Sequence, residues 1–360
     1  MLKKLKRMAL GASTALTVAS AAIAGPYDAY DGTTLVVNFP AHPHYNAVMK
    51  ILPEFTKETG IEVEVDQLPY LKMRERQTLE LGQDEGDYDL IAYVVFSKAD
   101  YVYADQLENL ARYFMNPKLA DPSYDADDLI DGYVYNIGFA GGNKGYLQGK
   151  TGSLFGMPYG SETSVLGYRK DIFEKHGLEV PQNYDELLAL ACQIPELEPG
   201  MGGLASRAAS GHHAAHAFLL HLNPLGGAIF DESWEPVVNN AAGVKAAEAL
   251  KTIVDCGAEG SVNFGFGEAL GSFLNGDTAM FLDTTIVAGQ VDNPDKSKVV
   301  GNVGWALHPM GTKRASQTGG FGIGIPANAE NKDAAFLLMQ WLTSKEGDKL
   351  VAREYPKLCV

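Results

Sequence analysis

Residues 153–171 read SLFGMPYGSETSVLGYRKD, and the reading of this stretch decides the fold. Residues 154–158 alternate apolar and small side chains. Residues 163–168 are β-branched and aromatic enough for a second strand, and Asp171, Ile172 and Phe173 then open a helix that Gly177 stops. Between the two strands sits Gly160-Ser161-Glu162. A carboxylate between apolar strands either turns out to solvent or holds a ligand. For a lone Glu the solvated position is the commoner one, so the surrounding chain has to decide.

Upstream, residues 34–39 form an apolar run suited to a buried strand, followed by a ring-rich turn containing His42, His44 and Tyr45. A helix carrying Val48, Ile51, Leu52 and Phe55 on one face is expected to stop at Gly60, which tolerates a left-handed turn. Ile61, Val63 and Val65 alternate with acids as a strand with one wet face. Residues 69–81 suit a second helix, and 88–96 form a near-continuous apolar run of the kind found in central parallel strands. This alternation implies an α/β sheet with helices on its faces. Ligands in such sheets sit beyond the carboxyl ends of the strands.

Downstream, Asn183 caps a helix with Asp185 and Glu186 in its first turn, where they oppose the helix dipole. Residues 240–254 suit an amphipathic helix with Val244, Ala247, Leu250 and Val254 inward. A helix over 266–274 and a strand over 278–282 lead to Asp283. The glycine-rich run 319–326 lacks the Lys-Ser/Thr of a phosphate-binding loop, and the alternation of Phe321, Ile323 and Ile325 fits a strand. An apolar helix over 334–342 follows.

The chain has 360 residues, enough for two domains, and 46% of them are hydrophobic. Its 45 acids against 29 bases give a net charge of −16. Such a surface repels phosphate backbones and argues against nucleic-acid binding. Lys3, Lys4, Lys6 and Arg7, an apolar run and Ala22-Ile23-Ala24 make residues 1–24 a signal peptide. No Cys follows that cleavage point, which indicates a free periplasmic protein rather than a lipid-anchored one. Cys192 and Cys256 each lie near the end of a predicted helix, and the sequence leaves their pairing open. The acids Asp125, Asp127, Asp128 and Asp131 lack calcium-loop spacing and read as a helix start and its solvated face. His212 and His216, one helical turn apart, could share a metal. With no acid inside the run, local structure or hydrogen bonding to a ligand is the preferred reading.

Several segments, in order, carry a family likeness: FTKETGIEV at 55–63, YDLI at 88–91, GMPY at 156–159 running to YRKD at 168–171, NGDTAM at 275–280, GGFG at 319–322 and WLTSKE at 341–346. Together they make the chain resemble the extracellular solute-binding proteins of family 1, the maltose-binding-protein-like sugar-binding components of ABC transporters. The resemblance implies a periplasmic-binding-protein-like α/β fold, two lobes joined by a multi-segment hinge with the ligand cleft between them. Laid on this sequence, it puts crossings near 159–163, 283–286 and 326–331. Lobe 1 is expected to comprise 25–160 and 284–327, and lobe 2 to comprise 161–283 and 328–360, the latter incomplete at its C-terminal end.

The resemblance also puts Glu162 at a sugar-contacting carboxylate, Tyr93 near an aromatic platform, and His42, His44 and Tyr45 in a loop of polar contacts. Ile286 stands where a second platform is expected, which suits a smaller ligand: a monosaccharide, a short oligosaccharide or a polyol. Sugars expose hydroxyls around apolar faces, so carboxylates and amides beside aromatic rings are the matching chemistry. The expected ligand-contacting set is therefore Glu162, Tyr159, Tyr93, His42, His44, Tyr45, Asp283, Phe321, Gly320 and His213. No cofactor is called for. The expected partners are a small carbohydrate and the permease subunits of an ABC importer, with the protein acting as a monomer. Two other readings are a binder of a polyamine or metal ion, and a secreted glycosidase. The glycosidase would need two acids flanking one bond, for which Glu162 and Asp283 are the available pair.

Overall fold

The computed structural model describes residues 26–141 and 152–354; the leader at 1–24 lies outside them. Strand β1 (Thr34–Pro40) lies parallel to β2 (Glu62–Leu68) and β3 (Leu90–Val94), with Val37 opposite Val65 and Leu90. Helix α1 (Pro43–Thr59) joins β1 to β2. It buries Val48, Ile51, Leu52 and Phe55, and Gly60 ends it at φ 74° as the sequence predicts. Helix α2 (Tyr70–Glu80) follows β2, and α3 (Val95–Tyr103) leaves β3 directly.

The expected pair of strands around Glu162 is one strand. β4 (Met157–Arg169) runs unbroken for 13 residues. Its first part supplies Met157 and Tyr159 to the core built on β1 and α1, and its second part supplies Leu166 to a separate core. Glu162 therefore sits where a single strand passes from one lobe to the other. α4 (Lys170–His176), α5 (Tyr184–Leu197), β5 (Gly202–Ala205), α6 (His212–Leu222), α7 (Ala241–Asp255), α8 (Phe266–Asn275), β6 (Thr278–Thr284) and β7 (Val303–Leu307) build the second lobe. β6 and β7 flank the second part of β4, antiparallel to it.

The return strand is β8 (Thr318–Gly324). It pairs with Glu162 and Thr163 at its start and with β3 at its end. Its register against β4 shifts between Gly320 and Gly322, leaving an extra residue on β4, the geometry of a β-bulge. Gly320 has φ 94°, and a Cβ there would lie 2.3 Å from the Gly160 carbonyl oxygen. The two strands thus touch at their glycines in the hinge.

Packing corrects the expected partition. Val303–Leu307 pairs with Val165–Arg169 in lobe 2, although 284–327 was expected in lobe 1. Ile286 is buried, and Val287 and Val291 pack with Phe273 and Phe281, so the chain does not cross at 283–286. α9 (Lys332–Leu342) and α10 (Lys345–Glu354) belong to lobe 1, where Phe336 stacks on Tyr113 with centroids 5.2 Å apart. Among the described residues the crossings are thus 159–164 on β4 and 317–321 on β8. The cause is long-range pairing, which local pattern does not carry. Helix α7 differs too: it turns Gly243, Ala246, Ala249 and Ile253 inward, while Val244 is exposed. Small residues let it approach closely, and a Cβ on Gly243 would strike the Val238 carbonyl at 1.6 Å. Cys192 and Cys256 form a disulfide, with Cα atoms 5.0 Å apart.

Candidate functional site

The cleft between the lobes encloses about 180 Å³, small beside the roughly 300–1,000 Å³ of drug-sized sites. Lobe 1 contributes the carboxyl ends of β1 and β3, with Ala41, His42 and Phe96, together with Tyr70 from the start of α2. The crossing strands add Glu162, Gln317, Gly320 and Phe321. Lobe 2 contributes Arg207 from just beyond β5, Phe266, and the histidines at the start of α6. His212 reaches across the cleft, its ring 5.1 Å from Tyr70 and 5.8 Å from Phe96.

His42 is held by two bonds. Its Nδ1 accepts from the backbone N–H of His44 at 3.3 Å, capping α1. Nε2 is then the nitrogen that donates to the Glu162 carboxylate, 3.0 Å away. Burial pushes the Glu162 carboxyl upward, but His42, the Thr284 hydroxyl and Arg207 outweigh it and hold the group below the usual range. Glu162 is therefore an ionised acceptor at the hinge.

Asp283 does not line this cleft. It is buried beneath Arg207, whose Nε and Nη2 each donate to its carboxylate at 2.7 Å, while His216 Nε2 lies 3.6 Å away. Burial raises its pKa, but Arg207 and His216 prevail and keep it well below the carboxylate range. The guanidinium lies over the Phe266 ring, 4.7 Å from its centroid. Asp283 is thus an anchor for Arg207.

Of the other expected contacts, His42, His213, Gly320 and Phe321 line the cleft with Glu162. Tyr93 does not: it is fully buried on the other face of β3 and donates to the Ile137 carbonyl at 2.9 Å. Tyr45 is core as well, donating to the Tyr159 carbonyl at 3.1 Å. His44 and Tyr159 pack edge to face, 4.7 Å apart, and line a second cavity behind the crossing. The residues not foreseen are Arg207, Tyr70, Phe96, Phe266 and Gln317, while His212 and His216, read from sequence as local structure or ligand hydrogen bonding, also line the cleft. For Arg207 a signal existed, since the short strand Gly202–Ala205 ends directly in Ser206-Arg207. Two buried polar atoms in this lining, His213 Nδ1 and Gln317 Oε1, have no partner within the protein. Among the described residues no three His, Cys, Asp or Glu side chains are arranged to hold a metal.

Buried histidines make the fold pH-sensitive. Burial lowers His44 and His221 to about 3 and His308 to about 4. His308 bridges Ser164 and Tyr184, and Tyr184 also meets His221. These rings stay neutral in the folded state, whereas the unfolded chain takes protons from about pH 6.5 downward. Their contribution is complete above that pH and is lost as pH falls toward 4, by up to about 1.4 kcal/mol per pH unit per ring. Thermal melts should show Tm falling steadily from pH 6.5 to 4.5; a flat profile would mean that the rings reach solvent.

A two-lobed α/β molecule with a small polar and aromatic cleft at its strand crossings is a ligand-binding protein of periplasmic-binding type. The chain belongs to the bacterial extracellular solute-binding protein family, whose sequence model matches residues 41–349. It is 28% identical over 287 residues to the mannitol-binding protein of Pseudomonas aeruginosa, covering 78% of this chain and 62% of that one. This chain therefore spans less than two thirds of that relative's length. Among solved structures, a solute-binding protein of Agrobacterium radiobacter K84 in complex with ribitol superposes with a TM-score of 0.80 at 25% identity, covering 91% of this chain and 80% of that one. A solute-binding protein of Agrobacterium vitis S4 with bound D-mannitol gives 0.76 at 28% identity, covering 91% and 76%. Family and neighbours are binding proteins rather than enzymes.

Proposed function

We propose that this protein captures a small polyhydroxy compound, a polyol or monosaccharide, and presents it as a monomer to the membrane permease of an ABC importer. The observation that carries this reading is the convergence of Glu162, Arg207 and the unpartnered His213 Nδ1 and Gln317 Oε1 on one aromatic-walled cleft. Buried polar atoms are nearly always hydrogen-bonded, and a ligand carrying many hydroxyls offers donors and acceptors to all four. Phe321, Phe266 and Tyr70 supply flat faces for its C–H groups. The small volume favours a monomeric ligand over an oligosaccharide. The ribitol, mannitol and mannitol-binding neighbours support the same class. The basic and apolar start of the chain supports export to the periplasm, and Gly25 rather than Cys after Ala22-Ile23-Ala24 supports a free rather than a lipid-anchored form.

A glycosidase needs two carboxyl groups flanking one bond. Glu162 is the one carboxylate among the described cleft residues, and Asp283 is held by Arg207. We therefore take the protein as a binder without turnover.

A thermal-shift screen of ribitol, D-mannitol, other polyols and sugars, polyamines and divalent metals tests the class, since a ligand specific to the folded form raises Tm by mass action. Glu162→Gln should weaken the hit roughly 10- to 100-fold, as expected for losing a hydrogen bond to a charged group, with Tm of the free protein retained. Unchanged affinity in calorimetry would remove Glu162 from the site. Stabilisation by a metal or polyamine alone would replace the polyhydroxy reading.

A further inference from the structure

We propose that the cleft selects uncharged polyhydroxy ligands over their carboxylate and phosphate derivatives, and that Asp283 sets this choice by cancelling the charge of Arg207. The inference rests on the polyhydroxy reading above and specifies the ligand's charge.

Among the described residues that line the cleft, the charged side chains besides histidine are Glu162 and Arg207. Arg207 would ordinarily be an anion receptor, since its fork matches a carboxylate or phosphate in two parallel bonds. Here the Nε/Nη2 edge is already occupied, both atoms donating to Asp283 at 2.7 Å. What remains for a ligand is the Nη1/Nη2 end of the guanidinium, whose charge is neutralised at contact distance by Asp283.

Glu162 has no cation in direct contact, and Arg207 acts on it only at longer range. Its near partner, His42, donates from Nε2 while Nδ1 accepts from a backbone N–H, the bonding pattern of a neutral ring. His212 and His213 lie at the mouth of α6, where burial and the neighbouring Arg207 disfavour their protonation. Glu162, Arg207 and Asp283 together therefore leave the cleft with a net negative charge in a buried setting. A hydroxyl can donate to Glu162 and accept from Arg207. A carboxylate is repelled by the first and finds the charge of the second already offset by Asp283. Like charges brought together at a buried interface weaken binding on the order of 100-fold.

Calorimetry on the whole chain at pH 7.5 with matched pairs tests this: ribitol against D-ribonate, D-mannitol against D-mannonate, and D-mannitol against its 1-phosphate. The neutral member should bind, and the anionic member should bind on the order of 100-fold more weakly. Asp283→Asn keeps the side chain's shape but frees the charge of Arg207, and Glu162→Gln removes the repelling carboxylate. Each should narrow the neutral-to-anion ratio about tenfold or more, even as affinity for the neutral ligand falls. A merely structural role for Asp283 would weaken both members together and leave the ratio unmoved, which would overturn its assignment. Should Asp283→Asn fail to fold, the ratio in Glu162→Gln decides, and no narrowing there overturns the proposal. Wild-type protein that binds the anion as tightly as the polyol overturns it too, while leaving the polyhydroxy reading intact. Binding of neither member of any pair overturns both.

Discussion

Asp283→Ala is expected to lower the unfolding free energy by about 3–5 kcal/mol at pH 7, the penalty for leaving a buried ion without its partner. The magnitude follows from where the carboxylate sits. It is 1% exposed, takes two bonds from Arg207 at 2.7 Å, and also accepts from the Thr284 backbone N–H at 2.8 Å. Arg207 is itself buried, with Phe266 across its guanidinium face, so alanine at 283 leaves a desolvated cation without its contact counter-charge. The pH dependence has a definite sign. Because the folded carboxyl titrates well below its ordinary value of about 3.9, the contribution is fully present above that pH and is lost as pH falls further. Urea denaturation of wild type and variant measures the difference. A loss under about 1 kcal/mol would mean that Arg207 is rehydrated when Asp283 goes and that the pair is not a desolvated one. Arg207→Met combined with Asp283→Leu should recover much of the stability, since replacing both ions removes both desolvation penalties. It should not recover binding.

Part of this site could be read from sequence. Helix α1 was legible because its apolar stripe and the stop at Gly60 are local facts. Glu162 was legible through the family resemblance, since the local pattern alone favours a solvated position for a lone Glu between apolar strands. Tyr93 was misplaced because β3 is buried on both faces, so no alternation tells which side faces the cleft. Asp283 reads as a ligand contact from sequence because its partner lies 76 residues away, and nothing local marks Arg207 as that partner. The inward face of α7 was missed for the opposite reason: large side chains are the usual sign of a core face, and here glycine and alanine make it. The lobe partition failed at β7, whose pairing with β4 spans well over a hundred residues. Short-range pattern gave elements and their ends; which elements share a lobe depended on pairings it does not encode.

Loss of the Cys192–Cys256 bridge, in a double serine variant, is expected to cost about 4 kcal/mol, the loop-closure value for a separation of 64 residues. The bridge also has a local task. Strand β5 carries Gly202 and Gly203 between α5 and the end of α7: a Cβ on Gly203 would lie 1.8 Å from the Ala191 carbonyl oxygen, and one on Gly202 would lie 2.2 Å from the Ala258 nitrogen. Such close packing depends on both flanking segments staying in place, and the disulfide joins them across the strand. Arg207 lies two residues beyond β5, so loosening this layer also loosens the Arg207–Asp283 pair. The double variant should therefore lose ligand affinity as well as Tm. A saturating ligand at about 100 times Kd should restore only about 2.7 kcal/mol. Disulfides of this kind persist in oxidising compartments, in keeping with the proposed export. Should the variant lose less than about 1 kcal/mol, well short of the loop-closure value, the glycine packing rather than the bridge would be what holds the layer, and affinity should then be unchanged.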